Sequence, residues 1–477
     1  MNQGGKKTMK KIFYKIFIFF IISLLIMPIS VAQMQIINIK CNETNESSLG
    51  NSICDLLIIT PSYFEKALQP LKEHKNKFGV RTDIVTLDYI YKEIWYGRDN
   101  PEKIKYFIFN AYKDAGIKYV LLVGNFRKMP IRYVHNEEPG YPELYFISEL
   151  YYADIIDKNG SFSSWDSNNN GVFGEWNGSE AQDKDIDLYP DVYVGRLACR
   201  NNLEVKIMVR KIINYESKTY GSQWFNRIVA VAGDTYPPGS YPFPTDGYEG
   251  EENTLAAISY MIGFKNITLF TSDKTLTGPN DIIREVDKGC GFLYFEGHGN
   301  PGEWTTHPVP FTNESKWIKD FTVLSMIRLT NGYKLPICVV GGCHNSEFDV
   351  NIFNIFEKKA KYLTWIPECW SWKLTRKIGG GSIATIGNTG LGMSKEDKDS
   401  MQGAGDYIEN RFFYEIGING TGTLGDAWGK AISDYLDKYP INWNTPAAWD
   451  YSIDAKTVQQ WVLLGDPSLK IGGYPAI

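Results

Sequence analysis

Gly291-Phe292-Leu293-Tyr294-Phe295-Glu296-Gly297-His298-Gly299 and Pro336-Ile337-Cys338-Val339-Val340-Gly341-Gly342-Cys343 are two short apolar runs, each ending in glycine and one reactive side chain. Unbroken apolar runs of this length, bounded by glycine, fit strands buried on both faces of a parallel sheet. In open parallel sheets ligand sites lie beyond the carboxyl ends of the strands. His298 and Cys343 therefore meet at one edge if their strands are neighbours. The 45 residues from His298 to Cys343 (343 less 298) leave room for the crossover a parallel neighbour requires, with Lys316–Met326 as its expected helix.

The same rhythm extends outward in both directions. DLLIIT (55–60), Arg81–Leu87, YVLLVG (119–124) and Asp191–Val194 read as strands, with helical patterns following 60, over Pro101–Ala115 and over Asn202–Glu216. A second run has strands at Ile228–Ala232, Ile267–Phe270 and Ser382–Ile386, helices at Glu252–Ile262 and Pro279–Val286, and helices across 403–436 with a glycine-rich break. Strands alternating with helices imply an α/β fold of two subdomains, with mostly parallel sheets covered by helices. The expected limits are 55–222 for the first subdomain, carrying a long Asp/Asn/Tyr-rich insertion (125–188), and 223–477 for the second.

At 477 residues the chain exceeds one small core, and 43% hydrophobic with 22% charged residues describes an ordinary globular protein. A net charge of -5 speaks against a nucleic-acid footprint. The N-terminus is different. Lys6, Lys7, Lys10, Lys11 and Lys15 precede an apolar run from Ile16 to Ile29 and the small residues Ser30-Val31-Ala32, the pattern of a signal peptide over 1–32. An uncleaved signal anchor is the alternative, since the run approaches the ~20 residues that span a bilayer. Either way the body is expected outside the cell, secreted or at the surface, with a linker over 33–54 and no other membrane span. Cys41 and Cys54 form a candidate disulfide in that compartment, and seven Asn-x-Ser/Thr sequons permit glycosylation.

A thiol and an imidazole at one sheet edge suit nucleophilic attack on a peptide carbonyl. The imidazole takes the thiol proton and returns it to the leaving amine near neutral pH. Gly297 and Gly299 admit a substrate backbone beside His298, and the N–H groups of Gly299 and Cys343 are candidate donors to the developing oxyanion. Zinc is excluded by spacing, because neither C-x-x-C nor H-E-x-x-H occurs. For a lone cysteine after an apolar strand the commoner role is core packing, which is the expectation for Cys338.

YFEGHG (294–299) with Trp304, and GCHNSEF (342–348), resemble the gingipain-type cysteine peptidases, the branch of clan CD related by fold to caspases and legumain. YVLLVG (119–124), DVYVGR (191–196), GGGS (379–382) and LGDPSL (464–469) follow in the family's order, so the likeness spans most of 55–470. The resemblance implies that the second subdomain is caspase-like, with Cys343 as nucleophile, His298 as its base, and Gly299 and Cys343 as oxyanion donors. It also implies an acid that orients His298, at Asp234, and protein or peptide substrates. Asp246, Glu249 and Trp304 are the candidate substrate contacts, Gly390–Met393 another pocket wall. Ser346 departs from the family, which commonly has glycine there. No organic cofactor, large pro-domain or C-terminal anchor is expected. The competing reading is an idle relative that binds peptides or glycans, which would have no chemical reason to keep both Cys343 and His298.

One motif lies outside this scheme. Asp166-Ser167-Asn168-Asn169-Asn170-Gly171-Val172 sets oxygen donors at alternate positions ahead of a glycine, like the first half of a calcium loop. Asp166, Asn168, Asn170, the Val172 carbonyl and Glu175 are the candidate ligands of a structural calcium. Asn and Gly are also favoured in plain surface turns.

Overall fold

Leu56–Thr60 (β1), Thr82–Thr86 (β2) and Tyr119–Val123 (β3) begin a parallel sheet whose middle strands are buried throughout. In the computed structural model of the chain, residues 53–137, 143–236, 248–308, 317–356, 364–395, 403–447 and 449–475 are described. The expected signal segment, Cys41 and Asp246 lie outside them. Helices Ser62–Lys77 (α1), Leu87–Glu93 (α2) and Asn100–Ala115 (α3) connect the strands. α3 shows why its limits fall where they do: Asp99 accepts the N–H of Glu102, Pro101 occupies the first turn, and Gly116 ends the helix in a left-handed conformation.

The insertion holds a hairpin of Tyr133–His135 (β4) and Tyr145–Ile147 (β5), followed by turns around the buried Tyr151, Tyr152, Trp165 and Trp176. Strand Tyr193–Leu197 (β6) then completes the order β2-β1-β3-β6. It starts two residues later than the sequence pattern indicates. The Asp191 carboxylate is already engaged, accepting the N–H groups of Ile155 and Ile156, so that residue closes the insertion instead of entering the strand.

After helix Asn202–Lys218 (α4), Arg227–Ala232 (β7), Lys265–Phe270 (β8) and Phe292–Phe295 (β9) enter a six-stranded sheet, with Glu249–Ser259 (α5) and Pro279–Asp287 (α6) between them. His298–Asn300 (β10), Glu303–Thr305 (β11) and Phe321–Thr322 (β12) form a small antiparallel sheet. Ile337–Val340 (β13), helix Trp370–Arg376 (α7), Ala384–Asn388 (β14) and the short Ser394–Lys395 (β15) follow. Helices Ala404–Gly417 (α8), Leu424–Lys438 (α9) and Trp449–Gln460 (α10) precede Trp461–Leu464 (β16). The large sheet runs β16-β14-β13-β9-β7-β8, parallel except where β16 meets β14.

The crossover from β9 to β13 corrects the expected helix at Lys316–Met326. Phe321 and Thr322 pair instead with Trp304 and Glu303, and Thr322 Oγ1 accepts the N–H of Ser325 to start a short 3-10 turn. Apolar residues spaced three and four apart mimic a helical face there. Phe321 and Met326 are drawn instead into the core with Phe295, Trp304 and Trp370, while Trp317 and Leu324 stay exposed.

Buried charge ties the N-terminal sheet to the C-terminal segment. Lys75 of α1, fully buried, pairs at 2.7 Å with both Glu216 of α4 and Asp466, which follows β16. α9 packs on β6 as well as on α8, so the last third of the chain reaches both sheets.

Candidate functional site

β9 and β13 are direct parallel neighbours, with Phe295 opposite Val340. Their carboxyl ends therefore release His298 and Cys343 at the same edge, as the two apolar runs imply. A Cβ built on Gly342 would overlap Asn345 Oδ1 and stand 3.0 Å from Gly299 Cα and 3.1 Å from Gly299 N. The backbone after His298 thus lies against the backbone before Cys343, at a distance only glycine permits.

The imidazole of His298 is fixed from the end of β7. Asp234 and His307 exchange backbone hydrogen bonds, and this bridge aims the Thr235 carbonyl at His298 Nε2, 2.8 Å away. A carbonyl only accepts, so Nε2 carries the proton and Nδ1 is left as the basic nitrogen. Burial lowers the His298 pKa from its ordinary 6.5, against the opposing pull of the Thr235 carbonyl, so the ring is neutral at pH 7. Trp317 stands edge-on to His298 at 5.1 Å between ring centres and lies against His307 at 3.6 Å. Its 50% exposure makes it an open aromatic surface beside the imidazole.

Cys343 is half-buried and free, with its sulfur 3.9 Å from the Gly392 carbonyl. Burial raises its pKa above the ordinary 9.0, so the resting group is the thiol. His344 adopts a positive φ of 55° and turns away, its ring held by Glu347 at 2.9 Å and Glu143 at 3.4 Å. Glu143 also accepts the Leu391 N–H and pairs with Lys456, so the insertion steadies the loop that faces the sulfur. Fully buried Asn345 does the equivalent work on the other side. Its Nδ2 donates to the carbonyls of Asn300 at 2.8 Å and Glu303 at 2.9 Å, pinning the β10–β11 hairpin to the Cys343 turn. Cys338 is in the core.

Several other sequence candidates occupy different environments. Asp234 reaches the site's edge, but its carboxyl faces Glu249, whose pKa is pushed to about 7 by burial and by that neighbour. The hydrogen bond to His298 comes from the next residue, Thr235. Glu249 is buried and so offers its carboxyl to Asp234 rather than to open solvent. Trp304 is corrected outright: fully buried, it packs on Phe295 in the core and presents no surface to a substrate. The exposed aromatic beside the imidazole is Trp317, 13 residues further on (317 less 304).

Directly beneath the site lies a cluster of carboxyls that form no ion pair with a cation among the described residues. Tyr294 hydroxyl meets Glu296 at 3.1 Å and also Glu409, while Asn253 reaches Asp406 at 3.3 Å. Burial, then mutual repulsion with Glu409, holds Glu296 well above its ordinary 4.5, and burial takes Glu409 to about 8. Gly341 belongs here, since a Cβ on it would overlap Glu296 Oε2.

In the insertion, Asp166 accepts the N–H groups of Asn170 and Gly171, both at 3.0 Å, and Asn170 Oδ1 accepts the Val172 N–H at 2.8 Å. Glu175 Oε2 meets the side chains of Asn170 at 2.6 Å and Asn168 at 3.5 Å. Asn168 and Asn170 thus present amide nitrogens to Glu175, the Asp166 oxygens accept backbone N–H groups, and Arg98 pairs with Asp166. Among the described residues no three His, Cys, Asp or Glu side chains are grouped to hold a metal ion.

This is the fold and edge geometry of a clan of α/β peptidases, and the comparisons agree. The sequence profile of Peptidase family C25 matches residues 50–472, and the chain belongs to that family. Gingipain R2 of Porphyromonas gingivalis is 22% identical over 300 residues, covering 62% of this chain and 33% of that protein. The chain thus spans about a third of the length of that relative. An uncharacterized protein of Archaeoglobus fulgidus is 23% identical over 412 residues, 83% of this chain and 91% of the other. The crystal structure of the Arg-specific cysteine proteinase gingipain R superposes with a TM-score of 0.60 at 19% identity, covering 90% of this chain and 80% of that one. A complex of the pro- and mature domains of the same proteinase, from P. gingivalis, gives 0.61 at 18% identity over 87% and 79%. The likeness supports the caspase-like α/β fold.

Proposed function

We propose that the chain is an exported cysteine endopeptidase in which Cys343 attacks the peptide carbonyl and His298 moves the protons. The observation that carries this reading is the pairing of β9 with β13, which delivers both groups to one sheet edge. His298 Nδ1 takes the proton of the Cys343 thiol as sulfur adds to the carbonyl carbon. The N–H groups of Gly299 and Cys343 meet the oxyanion. The imidazolium then protonates the leaving amine, and water activated by the same nitrogen releases the acid from the thioester. Thr235 orients the ring through its carbonyl, with Asp234 acting behind it through the bridge to His307. A raised thiol pKa and a neutral histidine favour proton transfer during attack over a preformed ion pair. Trp317 is the aromatic contact available to substrate.

Export rests on the leader over 1–32 and on Cys54, which is disulfide-bonded, although the candidate partner Cys41 lies outside the described residues. Among the described residues no helix is long and apolar enough to cross a membrane. A structural calcium at 166–175 is part of the same proposal, supported by the alternate spacing of Asp166, Asn168 and Asn170 ahead of Gly171.

Labelling with a peptidyl acyloxymethylketone, followed by cleavage of a peptide library, tests the reading. Cys343→Ala is expected to abolish both. His298→Ala should slow cleavage by about a hundredfold to ten-thousandfold. Equal labelling of wild type and Cys343→Ala would favour the idle binding protein instead.

A further inference from the structure

A cavity of about 650 Å³ lies at the opposite end of the six-stranded sheet from Cys343. Its walls are the second half of α4, the Gly332–Leu335 turn that enters β13, and the Lys377–Gly380 turn that leads toward β14. The catalytic edge is formed by carboxyl ends of strands; this cavity is formed where strands begin. Arg210, Lys211, Lys218 and Lys377 line it, with Ile207 and Leu335 between them.

Every charged residue in that lining is a cation, and no Asp or Glu contributes to it. Among the described residues no carboxylate forms an ion pair with any of the four cavity cations; Asp287 acts on Lys377 only at a distance. Lys211 Nζ is fixed by three carbonyls at the end of α7, those of Thr375, Lys377 and Gly380. Burial and the neighbouring Lys377 and Arg376 bring its pKa down to about 7, which a bound anion would reverse. A chain of net charge -5 thus gathers one arginine and three lysines, with no carboxylate, around one concave, partly apolar space.

We infer that this cavity is a binding site for an acidic peptide segment, separate from the catalytic edge. Spacing sets the motif. Arg210 and Lys218 are eight residues apart on α4, about 12 Å along its axis. An extended peptide covers that in about four residues. The fitting ligand therefore has two carboxylate side chains four positions apart, with apolar residues between them to meet Ile207, Leu335 and the exposed Ile378. An anionic lipid would satisfy the charges but has no reason to respect that spacing.

Fluorescence anisotropy on the full chain carrying Cys343→Ala, which prevents cleavage, tests this without depending on peptidase activity. The probe is a fluorescein-labelled hexapeptide with glutamate at its second and sixth positions and leucine and phenylalanine between them. Saturable binding is expected, weakened at least tenfold when the glutamates become glutamines, when they are moved to adjacent positions, or by Arg210→Glu with Lys218→Glu. In an otherwise wild-type chain the same double variant should cleave short peptides at the unaltered rate, showing that it is folded. No binding, equal binding of the glutamine peptide, or binding unaffected by the double variant would each overturn the inference. Retention on phosphatidylglycerol vesicles without binding of the hexapeptide would overturn it in favour of lipid.

Discussion

Two clusters of buried charge obey opposite rules. At the seam between the N-terminal sheet and the C-terminal segment, Lys75 neutralises Glu216 and Asp466, and Coulomb attraction holds Glu216 below its ordinary pKa despite burial. Beneath the site, Glu296, Glu409 and Asp406 form no ion pair with a cation among the described residues, and burial holds all three above theirs. One is a tie between ion pairs, the other a set of carboxyls sharing protons. The contrast teaches that burial alone does not decide the ionisation of a carboxyl; a fixed counter-charge does.

The largest expected effect breaks the seam. Lys75→Met leaves buried Asp466 and Glu216 without their lysine, with His74 still 2.9 Å from Glu216, and should cost about 3–5 kcal/mol of stability, read from denaturant unfolding. A loss below about 1 kcal/mol would show that the triad ties nothing. Next comes the wall between the floor and the reacting groups. Asn345→Ala removes both donors that pin β10–β11 to the Cys343 turn, and kcat should drop about a hundredfold with KM little changed. Equal losses in melting temperature and activity would reduce Asn345 to a structural role.

The pH dependence of stability sharpens the comparison further. Glu409 titrates near 8 when folded and near 4.5 when unfolded. Its contribution is therefore full below about pH 4.5 and lost as pH rises through about 8. Glu216, depressed below 4.5, behaves in reverse: its contribution is present above 4.5 and lost as pH falls through the depressed value. Glu409→Gln is expected to flatten the decline in melting temperature between pH 5 and pH 8, by about the effect of one buried carboxyl; an unchanged decline would place its origin elsewhere. The smallest effect concerns the insertion. Chelation should lower the melting temperature by a few degrees if calcium occupies 166–175, and no change would count against calcium there.

Much of this was legible because apolar runs ending in glycine have one common solution, a buried parallel strand opening onto an edge. That reading located β9, β13, His298 and Cys343 without coordinates. The β9–β13 connection was not legible, because Trp317, Ile318, Phe321 and Leu324 follow helical spacing and only pairing with β11 reveals the strand. The Thr235 carbonyl at His298 was not legible for a different reason: a backbone acceptor has no signature in residue type, whereas the neighbouring Asp234 does. Trp304 and Trp317 are the same residue type on the same connector, and only burial separates core from open wall. Asn345 stood within the GCHNSEF motif, yet its partners are carbonyls 42 and 45 residues away.

The state of the cysteines has a practical consequence. Cys199, Cys290, Cys338 and Cys369 are buried, while Cys343 is the partly exposed member of the five free thiols among the described residues. A native sample should consume one equivalent of a maleimide per folded chain, and an unfolded, unreduced sample five. The ratio of the two titrations would count competent molecules directly, before any substrate is in hand.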